Sequence, residues 1–292
     1  MLELYTHPMS PCAQKVRIVL AEKQLDWGVR HVDLARKENL RPEYLKLNPL
    51  GVVPTLVHDG KPVIESNIIC EFVDDLYPTP SLRPKDPHAI ASMRFWMKQV
   101  DGKLHPACGA LQWPLIMRPA MMELDEAVRR ALLDQVPEKP RRDRQKRLVE
   151  LGLDAPDVVD AVQTYRKMIL DMETVLQNHE WIVGDSFSLA DVCLAPYFQT
   201  LLQFGWIGMY DDCSRVKDWF ARCRGRASYE HAVAGDFTPD VVADLRKKGE
   251  GAWPKIRAHL DGLRQPSEKW DDSAGFATCP ISAIGGDAKA AI

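Results

Sequence analysis

Ser10 and Cys12 stand two positions apart in His7-Pro8-Met9-Ser10-Pro11-Cys12, directly after the short apolar run Leu2 to Tyr5. The run reads as a strand and the breakers after it as a turn, with Ser10 as helix N-cap and Pro11 as first helical residue. A hydroxyl at that junction caps the helix or donates to an anion beside it. A thiol in the first helical turn feels the positive end of the helix, which favours thiolate over the neutral form of a group that ordinarily titrates near about 8.5. The chemistry such a loop can support is that of a sulfur anion. The plainer alternatives are an ordinary cap and a small buried apolar side chain.

Two further pairs belong with this loop. Val53-Pro54 precedes an apolar run and by itself reads as an ordinary turn. Glu65-Ser66 opens a helix and by itself reads as an ordinary cap. His7 and His105 are candidates for assisting a leaving group, although a lone histidine is more often structural.

The elements that must position these residues follow from periodicity and turn signals. Val16 and Ile18-Val19-Leu20, interspersed with Lys15, Arg17, Glu22 and Lys23, form a helix starting at Ser10. Trp27 to Val32 reads as a second strand and Leu40 to Leu47 as a short helix. Thr55 to Val57 and Pro62 to Ile64 form a hairpin about His58-Asp59-Gly60, and Ile69 to Leu76 a closing helix. The order β-α-β-α-β-β-α implies a small mixed sheet covered by helices. The proline-rich Tyr77 to Pro84 marks a domain boundary. Beyond it Val162, Tyr165, Ile169, Met172 and Leu176 recur at helical spacing, and Ser188-Leu189-Ala190-Asp191 approximates a capping box, so the second domain reads as a helix bundle. The run Lys139 to Arg147, basic but punctuated by Pro140 and Asp143, reads as a solvated, partly helical insertion. After Gln265 the Gly, Ala, Ser and Asp content predicts a loosely packed tail.

Composition narrows the function classes. The 292 residues suffice for about two domains of ~150 residues. A net charge of −3 gives no field to collect polyanions, so a nucleic-acid partner is not expected. No run approaches the ~20 apolar residues of a membrane span, and the start carries no secretory pattern. Seven scattered cysteines, without CxxC or zinc-finger spacing, suit a reducing cytoplasm and no metal site.

A βαβαββα unit, a proline linker and an all-helical second half resemble the layout of the cytosolic glutathione transferases, and the motifs agree. Asn48-Pro49-Leu50-Gly51-Val52-Val53-Pro54 is similar to the family's cis-proline loop, Glu65-Ser66 to its γ-glutamyl anchor, and Gly184 to Asp191 to its second-domain folding motif. The resemblance implies an α/β thioredoxin-like domain over 1–80, an all-α helix bundle over 88–264 and a tail over 265–292. It implies glutathione as co-substrate, bound by Val53, Pro54, Glu65, Ser66 and Asp101, the last reaching a partner subunit's ligand in a homodimer. It also implies a pocket between the domains for a hydrophobic aromatic small molecule, walled by His7, Met9, Trp113, Leu115, Met117, Phe204 and Trp206. Within the family, the stretches Ile64 to Phe72, Leu82 to Pro87 and Met93 to Asp101, and the insertion Val136-Pro137-Glu138, resemble the bacterial lignin β-etherases. The loop Met9-Ser10-Pro11-Cys12 is instead more similar to the glutathione-dependent reductive dehalogenases and to maleylacetoacetate isomerases. Ser10 as stabiliser of the glutathione thiolate, in a transferase that cleaves an aryl ether or displaces a similar group, is the leading expectation. A Cys12-dependent reductase or isomerase is the alternative, and a non-catalytic glutathione-fold binding or regulatory module is the alternative of another class.

Overall fold

The computed structural model of the chain describes residues 1–264, and the tail expected over 265–292, with Cys279, lies outside the described residues. Strand β1 (Leu2–Thr6) runs into helix α1 (Pro11–Glu22), followed by β2 (Gly28–His31), a 3₁₀ turn at Glu38–Leu40, α2 (Pro42–Leu45), β3 (Thr55–His58), β4 (Lys61–Ile64) and α3 (Ser66–Leu76). The helical part comprises α4 (Pro87–Gln99), a π-type turn at Val100–Leu104, α5 (His105–Ile116), α6 (Arg118–Met122), α7 (Glu126–Asp134) and α8 (Lys139–Leu151). It continues with α9 (Pro156–Val175), α10 (Leu189–Gln203), α11 (Ser214–Arg224), α12 (Ala227–Ala232) and α13 (Pro239–Arg264).

The four strands lie in the order β2-β1-β3-β4, with β1 parallel to β2 and antiparallel to β3, and β3 antiparallel to β4. The register pairs Thr6 with His31, Tyr5 with Thr55 and Thr55 with Ile64. The ends of β1, β2 and β4 and the start of β3 therefore meet at one end of the sheet. Every loop singled out above leaves from that end: Ser10 after β1, Val53-Pro54 before β3, and Glu65-Ser66 after β4.

Helix α1 begins as its sequence requires. Ser10 has extended backbone, its Oγ accepts from the Ala13 N–H at 3.3 Å, and Pro11 supplies the first helical residue. One face packs on α3 and the sheet, where Leu4, Val16, Leu20, Leu56 and Ile69 are buried. The other packs on α10 and α12 of the helical part. Covering both faces buries the polar residues as well: Lys15, Arg17 and Lys23 are all within the interior. Each has a partner, because a buried cation without one is prohibitively costly. Arg17 pairs with Asp236, and Lys23 with Asp74. Asp74 also accepts from Leu82 N at 2.9 Å and Arg83 Nε at 2.7 Å, which ties down the linker segment between α3 and α4.

The helical part is organised around α10. Ser188 and Asp191 form a full capping box, and Asp191 further accepts from Ile182 N at 3.0 Å and Trp219 Nε1 at 2.8 Å. Their role is structural. Helix α9 presents Val162, Tyr165, Ile169 and Met172 to the core, the face that its periodicity predicts. The basic run, expected to be partly helical, lies wholly on α8.

Helix α13 crosses the end of α10 at Gly249, whose carbonyl accepts from Trp206 Nε1 at 3.0 Å. A Cβ placed on Gly249 would lie 1.9 Å from the Phe204 carbonyl oxygen, so only glycine permits this approach. Gly251, two positions on, has nothing within 4 Å of the same point. We expect Gly249→Ala to destabilise the protein by about 1–3 kcal/mol through overpacking, lowering the melting temperature by several degrees. Gly251→Ala should be neutral or slightly stabilising by helix propensity. Equal melting temperatures for the two variants would contradict this packing.

Candidate active site

Cys12 lies in the first turn of α1, partly open to solvent. Its Sγ is 3.5 Å from His105 Nδ1 and 3.7 Å from the Tyr197 hydroxyl. His105 opens α5, straight after the π-type turn, and Tyr197 belongs to α10. Three elements distant in sequence thus converge on one sulfur. Burial pushes the Cys12 thiol up, but the charges of His105 and Lys15, with hydrogen bonds from His105 and Ser66, outweigh it and bring the pKa to about 6. The thiolate in turn raises His105 above the usual imidazole range, against the opposing effect of burial. Thiolate and imidazolium thus each favour the other, and the pair titrates as a unit.

Lys15, one helical turn beyond Cys12, is the second cation of the site and is fully buried. Its Nζ donates to Asp101 Oδ1 at 2.9 Å, Asn67 Oδ1 at 3.2 Å and Ser66 Oγ at 3.4 Å, and lies 5.4 Å from the centre of the Tyr197 ring. Burial opposes its charge. The negative charges of Cys12 and Asp101 more than restore it, so its pKa stands above the ordinary lysine value.

Of the positions expected to hold glutathione, Ser66 and Asp101 touch Lys15. The Val53-Pro54 peptide is cis, and among the described residues neither the N–H nor the C=O of Val53 has a hydrogen-bond partner. Tyr44 and Asn48 hold the loop by donating to the Val52 carbonyl at 2.6 and 2.9 Å. Glu65 is exposed, with φ of 70°, a conformation disfavoured for a residue with a Cβ. It turns the chain so that Ser66 opens α3 beside Lys15. Asp101 sits in the π-type turn and its Oδ1 is taken by Lys15. Ser10 is half-buried and caps α1.

The expected aromatic-substrate wall divides. Met9, Trp113 and Leu115 are partly buried against the core, and Met117 ends α5, also partly buried. His7 faces His31, ring centres 5.4 Å apart, and its Nδ1 accepts from Met9 N at 3.2 Å. Burial and the neighbouring His31 hold it below the usual histidine range. Phe204 and Trp206 require correction. Both are fully buried and stacked on each other at 4.7 Å beneath α13, where they fill the core and line no cleft. The residues that sequence reasoning missed are Lys15, Asn67 and Tyr197, together with the pairing of His105 with Cys12. The spacing of Cys12 and Lys15, three apart on one helix, is the single local signal among them.

Among the described residues no group of three His, Cys, Asp or Glu could hold a metal ion, and no helix is long and apolar enough to cross a membrane.

Residues 9–76 match the family described as Glutathione S-transferase, N-terminal domain, and residues 113–227 match Glutathione S-transferase, C-terminal domain. The chain is 30% identical over 195 residues to Protein LigF of Sphingobium sp., covering 66% of this chain and 76% of that one. It is 38% identical over 256 residues to the probable glutathione S-transferase GSTU1 of Oryza sativa, covering 82% and 93%. The crystal structure of the beta-etherase LigF from Sphingobium sp. superposes with a TM-score of 0.73 at 26% identity, over 79% of this chain and 98% of that one. Glutathione transferase F7 of Populus trichocarpa, at 23% identity, covers 82% of this chain and 100% of its own with a TM-score of 0.64, and shows the same fold. Both halves are matched in order: the chain belongs to the glutathione S-transferase family, whose members use glutathione as co-substrate, and within it resembles LigF.

Proposed function

We propose that the protein transfers glutathione to an electrophilic carbon of a hydrophobic aromatic compound, displacing a leaving group, with the cleavage of a β-aryl ether as the specific reaction. The observation that carries this reading is the convergence of Ser10, Val53 and Ser66 at one end of the sheet. The ether bond as target rests on the similarity to the beta-etherase LigF.

In this reading Val53 offers its backbone to the cysteinyl unit of glutathione, and the Ser66 hydroxyl with the start of α3 receives the γ-glutamyl carboxylate. Glu65 meets the ammonium. The Ser10 oxygen accepts from Ala13 N, which leaves its proton for the glutathione sulfur. With the helix end it stabilises the thiolate, which attacks carbon as the ether oxygen departs. Met9, Trp113, Leu115 and Met117 supply apolar area for the aryl group. The protein acts in the cytoplasm.

The surroundings of Cys12 favour a second reading, in which this sulfur attacks the glutathionyl sulfur of a carbon adduct. The carbon–sulfur bond breaks as the disulfide forms, and the carbon keeps the electron pair and takes a proton from the His105 imidazolium. A second glutathione then attacks the Cys12 mixed disulfide, leaving glutathione disulfide and the free thiolate. The carbon is reduced by the two electrons that the two glutathione molecules lose.

Single-turnover kinetics on a β-aryl ether dimer, with intact-mass analysis, separates the readings. The transfer reading predicts that Ser10→Ala slows the reaction by roughly ten- to a hundredfold, the worth of a hydrogen bond to a charged group, and that Cys12→Ser leaves thioether formation unchanged. The exchange reading predicts that wild-type Cys12 carries glutathione during turnover and that Cys12→Ser stops at the glutathionylated product. Binding of glutathione without turnover of ethers or chloroaromatics would replace both with a binding module.

We also propose a homodimer formed through α3 and α4. Ile68 is 59% exposed there, beside a concavity of about 440 Å³ lined by residues including Glu71, Arg94, Met97 and Asp101. Asp101 thereby comes within reach of a partner's ligand. Sedimentation should show a dimer for the wild type and a monomer for Ile68→Glu; a dimer in both would exclude this face.

A further inference from the structure

Between β1 and α1 the chain reverses over His7-Pro8-Met9-Ser10, and His7 supplies the acceptors for both N–H groups of that turn. Its carbonyl accepts from Ser10 N at 3.1 Å, and its Nδ1 accepts from Met9 N at 3.2 Å. The second bond is the imidazole counterpart of an Asx turn, in which a side chain accepts from the backbone two residues on. The carbonyl of the same Pro8–Met9 peptide is held from α1, accepting from Gln14 Nε2 at 2.9 Å and Arg17 Nη2 at 3.1 Å. This peptide is the central one of the turn, whose orientation separates one turn type from another. It is thus held at both ends, and Ser10 follows it by one residue. Without the bond to His7 its N–H end is free to rotate.

Nδ1 can accept only while it carries no proton. The charged and titratable groups facing His7 are His31 at the end of β2, Asp33 beyond it, Arg17 of α1 and Asp236 just before α13. Burial, His31 and Arg17 oppose the imidazolium and outweigh the two carboxylates, one of which is paired with Arg17. The bond to Met9 therefore holds at neutral pH and is lost as pH falls below the usual histidine range.

We propose that His7 is a positioning residue: its neutral imidazole locks the Pro8–Met9 peptide and so aims the Ser10 hydroxyl, and a proton on Nδ1 releases it. The proposal rests on the reading of Ser10 as stabiliser of the glutathione thiolate. It replaces the role expected for His7 in assisting a leaving group, which needs the imidazolium that these surroundings disfavour.

Two measurements on the full chain test it. The first is the pKa of bound glutathione, from the ultraviolet absorbance of its thiolate. Taking the difference between complexes with glutathione and with S-methylglutathione cancels the protein's own thiols. His7→Leu should raise that pKa by about half a unit to one unit, the worth of one uncharged hydrogen bond, in the same direction as Ser10→Ala. His7→Asn should restore the wild-type value, because an amide oxygen accepts from the same N–H. Circular dichroism reports the fold of each variant. A wild-type value in His7→Leu, or no rescue by His7→Asn, while Ser10→Ala raises the pKa, would overturn this proposal alone. A wild-type value in Ser10→Ala would remove the Ser10 reading, and this proposal with it.

The second measurement needs no variant that might fail to fold. Nitrogen NMR of the wild type should show His7 protonated on Nε2 and bare on Nδ1 at neutral pH, with a midpoint below about 6.5. The Met9 amide resonance should move with that same midpoint. A proton on Nδ1 at neutral pH, or a Met9 amide indifferent to the titration of His7, would contradict the proposal.

Discussion

The ammonium of Lys15 is the constraint on which the rest of the site depends. Removing a charge from water costs several kcal/mol even after relaxation, and the cost is met only by partners held in place. Here they come from α3, the π-type turn and α10: Ser66 and Asn67, Asp101, and the Tyr197 ring. One buried charge therefore fixes the start of α3, the proposed anchor for glutathione, relative to α1, which carries Ser10 and Cys12. It also joins the two halves of the chain, since Asp101 and Tyr197 belong to the helical part. The wide turn at Val100–Leu104 is what brings Asp101 and His105 to the same centre, a use of π-type turns common at functional sites.

That charge gives the loop its chemical character. A thiol packed among apolar side chains would be raised and inert, as Cys70, Cys108, Cys193 and Cys223 are in this protein. Cys12 escapes because Lys15 and His105 stand on either side of it. The same positive field favours any sulfur anion nearby, including that of a bound glutathione, and so serves both readings of the reaction. Ser10 contributes a proton and the helix end, whereas Cys12 contributes a second sulfur with an acid beside it. The two readings differ in which sulfur is consumed.

Much of the architecture was legible because its causes are local. Ser10-Pro11, the Asp59-Gly60 turn and the Ser188-Asp191 box specify their elements with neighbours a few residues away, and the structure has each. The cis-proline and Glu65-Ser66 positions were legible through family resemblance. The centre of the site was not, because Lys15 finds Asp101 across 86 positions and Cys12 finds His105 across 93. In the sequence Lys15 is one polar residue among several on an amphipathic helix, and nothing local reveals that both faces of α1 are covered. Phe204 and Trp206 misled for the opposite reason: large apolar rings suit a cleft and a core equally, and only the crossing of α13 decides.

The account stands or falls on the charge state of Cys12. The direct measurement is the pH dependence of Cys12 alkylation, followed at that residue by mass spectrometry, in the wild type and in Lys15→Met and His105→Asn. A lowered thiol is protonated and slow below its midpoint and fully reactive above it, so the wild-type rate should rise through a midpoint near about 6 and level off by neutrality. Each variant removes a cation and should move that midpoint upward, toward the ordinary thiol value of about 8.5. A wild-type midpoint near that ordinary value, or one that neither substitution moves, would contradict the account.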